Sequence, residues 1–152
     1  MELIHLLQET DEQEKNEIMA CQKRISQCNL TLTKQDIESL IITRKQVLKD
    51  VGRVEFHSTI IEQIIEEFCD SLFINLYNYV DSLHRIIEIF YYYKDATEDY
   101  LTDEEIIHYL KLAFDGVCQG SFDELSERQL DILCYHLMYK EDIYEDIEYG
   151  YY

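Results

Sequence analysis

No proline occurs in this 152-residue chain, and glycine occurs only four times. Proline removes a backbone donor and clashes inside a helix, and glycine adds backbone entropy, so such a chain contains almost nothing that interrupts helices. Apolar residues recur at steps of three and four nearly everywhere, and no hairpin signal breaks that period. The pattern predicts an all-α, single-domain irregular bundle of about six helices over residues 1–152. Hydrophobic residues make up 47% of the chain, a globular composition that can build a sizeable core at this length.

The expected helices follow from stripes and caps. About residues 12–28 place Ile18, Cys21, Ile25 and Cys28 on one stripe, which Asn29 and Leu30 break. Thr33 with Asp36 has the form of a capping box. The helix after it turns Ile37, Leu40, Ile41, Val47, Leu48 and Val51 inward and stops at Gly52, a suitable left-handed end. Arg53–Phe56 reads as a short extended piece or a connector. Ser58 is placed to cap a third helix with Ile61, Ile64, Ile65 and Phe68 inward. Glu62, Glu66 and Glu67 then fall on or near its wet side.

Asp70 and Ser71 interrupt that pattern. From Leu76 a fourth helix repeats Leu76, Val80, Leu83, Ile87 and Phe90, and Tyr79, Ile86 and Tyr93 widen the stripe into the most buried helix of the bundle. The run Ile89–Tyr93 cannot face one core, so Tyr92 points elsewhere, toward another helix, a partner or water. Thr102 with Glu105 opens a fifth helix carrying Ile106, Ile107, Leu110, Ala113 and Phe114, which ends at Asp115-Gly116. Ser121 with Glu124 and Ser126 with Gln129 are two successive start signals. A last helix then buries Leu130, Leu133, Cys134, Leu137 and Met138. The acidic, tyrosine-rich tail 141–152 is expected to begin as helix, with Ile143, Tyr144 and Ile147 extending the last one, and to fray at its end.

Charge narrows the partners. Residues 1–60 hold eight basic and ten acidic residues, whereas residues 61–152 hold five basic and twenty-two acidic ones. Such a surface repels nucleic acid and anionic membranes and attracts basic partners. The basic residues near the N-terminus, Arg44 and Lys45 among them, read as a solvated helix face. Five widely spaced cysteines without a leader argue for reduced thiols in a cytoplasm, and no apolar run reaches the roughly 20 residues of a membrane span.

No chemistry-bearing motif stands out. The segment from Asp115 lies between helices, like a calcium loop, but Val117 sits where a third-position ligand is needed and Ser126 where a bidentate glutamate is needed. No Cys-x-x-Cys or His-x-x-x-His pair offers zinc ligands, and Cys21 and Cys28 read as core thiols. Neither cofactor nor metal nor catalytic residue is implied.

Several segments nonetheless form a pattern: Gly52–Phe56, Phe68-Cys69-Asp70-Ser71, Asn78-Tyr79-Val80, Ile89–Lys94 and Phe114-Asp115-Gly116-Val117-Cys118-Gln119-Gly120-Ser121. Together they resemble an uncharacterised bacterial family of small acidic proteins, from roughly Leu30 to the last helix. The resemblance implies a cytoplasmic helical protein and brings no known activity, cofactor or catalytic residue.

The expected function is a non-enzymatic interaction module that docks a basic protein through its acidic C-terminal two-thirds. Tyrosines would supply contact area at low entropic cost. Tyr92, Asp115, Cys118, Gln119, Glu141, Asp142 and Tyr144 are the candidate contact residues. One alternative is a nucleic-acid mimic using carboxylate rows such as Glu66-Glu67-Asp70, Asp103-Glu104-Glu105 and Glu141-Asp142-Glu145-Asp146. Another is a small thiol-dependent enzyme or a ligand carrier using Cys69, Cys118 or a histidine.

Overall fold

A computed structural model describes residues 2–25, 30–140 and 142–144. Seven helices appear among them: α1 Glu2–Arg24, α2 Lys34–Val51, α3 Ile60–Phe68, α4 Tyr79–Ala96, α5 Asp103–Asp115, the single turn α6 Phe122–Ser126, and α7 Arg128–Tyr139. No strand occurs among the described residues, and the architecture is an all-α bundle. Helix α4 is its axis. It packs on α2, α3, α5 and α6, while α1 lies across α2 and α3.

Local chemistry sets most boundaries. Thr33 and Thr102 each close a capping box, with Asp36 and Glu105 returning the bond to the cap's own N–H. Gly52 ends α2 at φ 74°, where its N–H reaches the last-turn carbonyls. Ser58 Oγ accepts from Ile60 N at 3.0 Å, a side-chain turn that starts α3. Ser121 caps α6, but Ser126 starts nothing: its hydroxyl donates back to the Asp123 carbonyl.

Four further expectations need correction here. Helix α4 begins at Tyr79, not Leu76, because Asn75 and Asn78 fold the preceding segment into a side-chain-bonded turn. Leu76 is therefore exposed. Met138 is exposed too, and α7 instead buries Gln129, Leu133 and His136. Ile143 and Tyr144 do not extend α7, since Lys140 takes a left-handed conformation at φ 57° and turns the chain away. The tyrosine ring of Tyr144 then packs against Tyr109 and His108 of α5. Cys28 and Asn29, with the tail beyond Tyr144, lie outside the described residues.

The fourth correction concerns charge. Arg44 is not solvated; it is 2% exposed. Its Nε donates to the Tyr91 hydroxyl at 3.0 Å and its Nη2 to Glu55 Oε1 at 3.1 Å, while Tyr91 donates to the same Glu55 oxygen at 2.8 Å. Lys94 completes the network on Glu55 Oε2 at 3.2 Å. Burial alone would raise the Glu55 pKa, but Tyr91, Arg44 and Lys94 together bring it below the ordinary carboxylate value. A buried charge is tolerated only when paired this fully. The network ties α2 and the 53–58 connector to α4.

Candidate interaction surface

The segment Cys69–Asn78 links α3 to α4 and carries no charge between Asp70 and Asp81. A ten-residue neutral run in a chain that is 30% charged is unusual enough to trace. Its backbone is tied down locally. Asn75 Oδ1 accepts from Tyr77 N and Asn78 N at 2.9 and 3.1 Å, and Asn78 Nδ2 donates to the Phe73 carbonyl at 3.1 Å. Ile74 is buried and anchors the loop's centre. Outward go Leu72, 95% exposed, Tyr77, 98% exposed, and Leu76.

A second segment braces this loop. After α5 the chain makes a tight reversal in which Cys118 N bonds to the Ala113 carbonyl and Gly120 N to the Phe114 carbonyl, at 2.9 and 2.8 Å. Gln119 and Gly120 both take positive φ, 47° and 81°. At Gly120 a Cβ would come within 2.6 Å of the Phe73 ring, so glycine is needed for the loop to lie this close. Phe73 also meets Phe114 edge-on, and Phe114 stacks on Phe122 with centroids 4.7 Å apart.

Polar contacts fix the same junction. Ser71 Oγ donates to Asp115 Oδ1 at 2.6 Å, and Lys111 Nζ bridges Asp70 Oδ1 and Asp115 Oδ2 at 2.8 and 3.0 Å. Burial lowers the Lys111 pKa, but hydrogen bonds to Asp70 and Asp115 outweigh it and leave the ammonium firmly charged. Two of the segments that carry the sequence resemblance, Phe68–Ser71 and Phe114–Ser121, therefore meet at this junction, and Asn78 of a third ties the loop to it through the Phe73 carbonyl. On the loop's outer side Leu72, Leu76 and Tyr77 are exposed.

The candidate contact residues scatter otherwise. Asp115, Cys118 and Gln119 belong to the brace: Asp115 is bonded, Cys118 is buried, and Gln119 is exposed. Burial pushes the Cys118 thiol up to about 12, a direction opposed to thiolate chemistry. Tyr92 lines a shallow groove of about 180 Å³ with Thr43, Gln46, Val47, Asp50 and Glu88, on the α2–α4 seam. Asp142 and Tyr144 sit beyond α7, where His136 Nδ1 lies 3.1 Å from the Asp142 carbonyl. Glu141 lies outside the described residues.

Of the carboxylate rows, Glu66 faces Arg24, Glu67 faces His108 and Asp70 faces Lys111. Two of that row's three carboxylates, Glu66 and Asp70, are thus each paired with a cationic side chain. Leu72 and Tyr77 were not among the expected contacts; the uncharged run 71–80 was the signal for them. No helix among the described residues is long and apolar enough to cross a membrane.

The profile of a family of unknown function (DUF6323) matches residues 17–142, a span that includes both the loop and its brace. No curated protein and no solved structure matches the chain.

Proposed function

The chain belongs to that family of unknown function (DUF6323), and for it we propose a non-enzymatic interaction module whose contact surface is the braced loop 71–78. The observation that carries this reading is the near-complete exposure of Leu72 and Tyr77 on a loop held rigid from beneath. Exposing large apolar side chains opposes stability and solubility, and pinning the loop removes the ordering entropy that docking would otherwise cost. The occupant is a protein with an apolar recess edged by basic side chains. Asp70 and Asp81 flank the loop, and residues 61–152 carry twenty-two acids against five basic residues. Charge of that sign steers a basic partner and excludes polynucleotide.

The test compares wild-type protein with a Leu72→Asp/Tyr77→Asp variant as bait in native lysate, with low-salt and then high-salt washes. Both side chains are solvent-exposed, so the variant should fold normally. A basic protein held by the wild type, lost by the variant and released by salt supports the reading. An unchanged bound set in the variant at both salts overturns it. Release of that protein by added polynucleotide would move the assignment to nucleic-acid mimicry.

A further inference from the structure

On a different face, α1 and α3 enclose a groove of about 400 Å³ lined by Glu17, Arg24, His57, Thr59, Glu62 and Glu66, with Ala20 and Gln63 completing the wall. Glu62 is the unusual member. The sequence pattern puts it near the wet side of α3, yet it is 8% exposed, and its Oε1 has no hydrogen-bond partner. Leaving a buried carboxylate oxygen without a donor is costly, so such an atom calls for an explanation.

The neighbours show what is missing. On α1, Glu17 Oε2 stands 3.9 Å from His57 Nε2, Glu14 lies deeper, and Cys21 Sγ donates to Glu66 Oε1 at 3.5 Å. Arg24 is already engaged by Glu66 at 2.9 Å. Gln63 Nε2 is turned to Thr59 Oγ1 at 2.8 Å. Among the described residues no donor bonds Glu62 Oε1, while the charges of Glu17, Glu14 and Glu66 act on its carboxyl group. Among the described residues no three His, Cys, Asp or Glu side chains converge as a metal site would require. A compact cation that brings its own N–H donors fits this arrangement better than a bare ion needing six or more oxygens.

We propose that this groove binds a primary aliphatic ammonium group, with Glu62 as its buried acceptor and Glu17 as the second carboxylate at the rim. The ammonium donates to Glu62 Oε1 once that oxygen, buried out of reach of a water-sized group, turns toward the groove, and its alkyl stem lies along the groove wall. Desolvation, and then the charges of Glu17, Glu14 and Glu66, hold the Glu62 pKa up at about 7. An arriving cation reverses that balance and drives a proton off. The ammonium could belong to a free diamine or to a lysine side chain of another protein. This site shares no residue with the braced loop, so either assignment can fail without the other.

Calorimetry on the full chain tests it, with 1,4-diaminobutane in one arm and an N-acetyl, C-amide lysine peptide in the other, and magnesium chloride at matched ionic strength as the control. Repeating each titration in two buffers of different ionisation enthalpy counts protons. Saturable binding that releases protons at pH 6 and almost none at pH 8 is the expected result. Glu62→Gln should weaken it by at least about tenfold, and Glu17→Gln by less. Binding of the diamine alone assigns the site to a free amine, and binding of the peptide alone to a partner's lysine. No saturable binding in either arm, equal competition by magnesium, or unchanged affinity in folded Glu62→Gln overturns the proposal.

Discussion

Ser71 Oγ donates to Asp115 Oδ1 across 2.6 Å, and this one bond joins the loop before α4 to the end of α5. Ser71 is buried and also accepts from Phe73 N at 3.3 Å. Ser71→Ala removes the donor and leaves both partners short, so urea unfolding should show a loss of about 1–3 kcal/mol. Asp115→Ala should lose more, because Lys111 also loses one of its two carboxylate partners and keeps only Asp70.

Gly120 and Gly52 both take positive φ, at 81° and 74°, but only Gly120 meets a neighbour. Gly52→Ala carries the backbone strain alone, about 1 kcal/mol. Gly120→Ala adds a collision with the Phe73 ring and should be clearly worse by thermal melting. Adding Phe73→Ala should relieve the contacts with the ring but not the one with Phe73 Cβ at 2.8 Å, so the double variant should lose less than the two single losses combined.

Arg44→Ala leaves the buried Glu14, the half-buried Glu55 and the buried Tyr91 hydroxyl without their shared partner. Chemical denaturation should show a loss of about 3–5 kcal/mol. The same charge network predicts an acid response. Because the Glu55 pKa is lowered in the folded state, its contribution is present above the ordinary carboxylate range and is lost as pH falls through the folded value. Glu55→Gln should lower stability at neutral pH and flatten the acid limb.

Glu62 has the opposite sign. Its folded pKa of about 7 stands above the ordinary 4.5, so the folded state holds a proton that the unfolded chain has already released. Its contribution is complete below 4.5 and is lost as pH rises to 7, a swing on the order of 3 kcal/mol. Glu62→Gln should abolish that slope and make the protein more stable at pH 8, as measured by urea midpoints across pH 4–8.

Cys21 and Cys118 are both pushed up to about 12, Cys21 by burial and the nearby Glu66, Cys118 chiefly by burial. Alkylation of either should be slow in the folded protein and should become fast only on unfolding. Rapid labelling of folded protein would revive thiol chemistry.

Wherever a local rule governs, the sequence was legible. A hydroxyl three residues before a carboxylate makes the caps at Thr33 and Thr102, because the bonds involved span a single turn. Gly52 ends α2 for a similarly local reason, and the stripes of α2, α4 and α5 name most of the core. The all-α class follows from those elements together.

Side-chain fate at polar positions was another matter. Arg44 and Glu62 look like wet-face residues by spacing, yet both are buried, because α1 crosses α2 and α3 and covers what would otherwise be solvent. Leu76 looks like a core residue and is exposed, because a turn built by Asn75 and Asn78 delays α4 by three residues. The braced loop needs Ser71 and Asp115, forty-four residues apart, to meet. Composition, caps and periodicity act over one or two turns, and from them the sequence by itself determined the helices and the class. Which carboxylate is buried and which leucine is presented depends on what packs on top, and only the tertiary structure decided that.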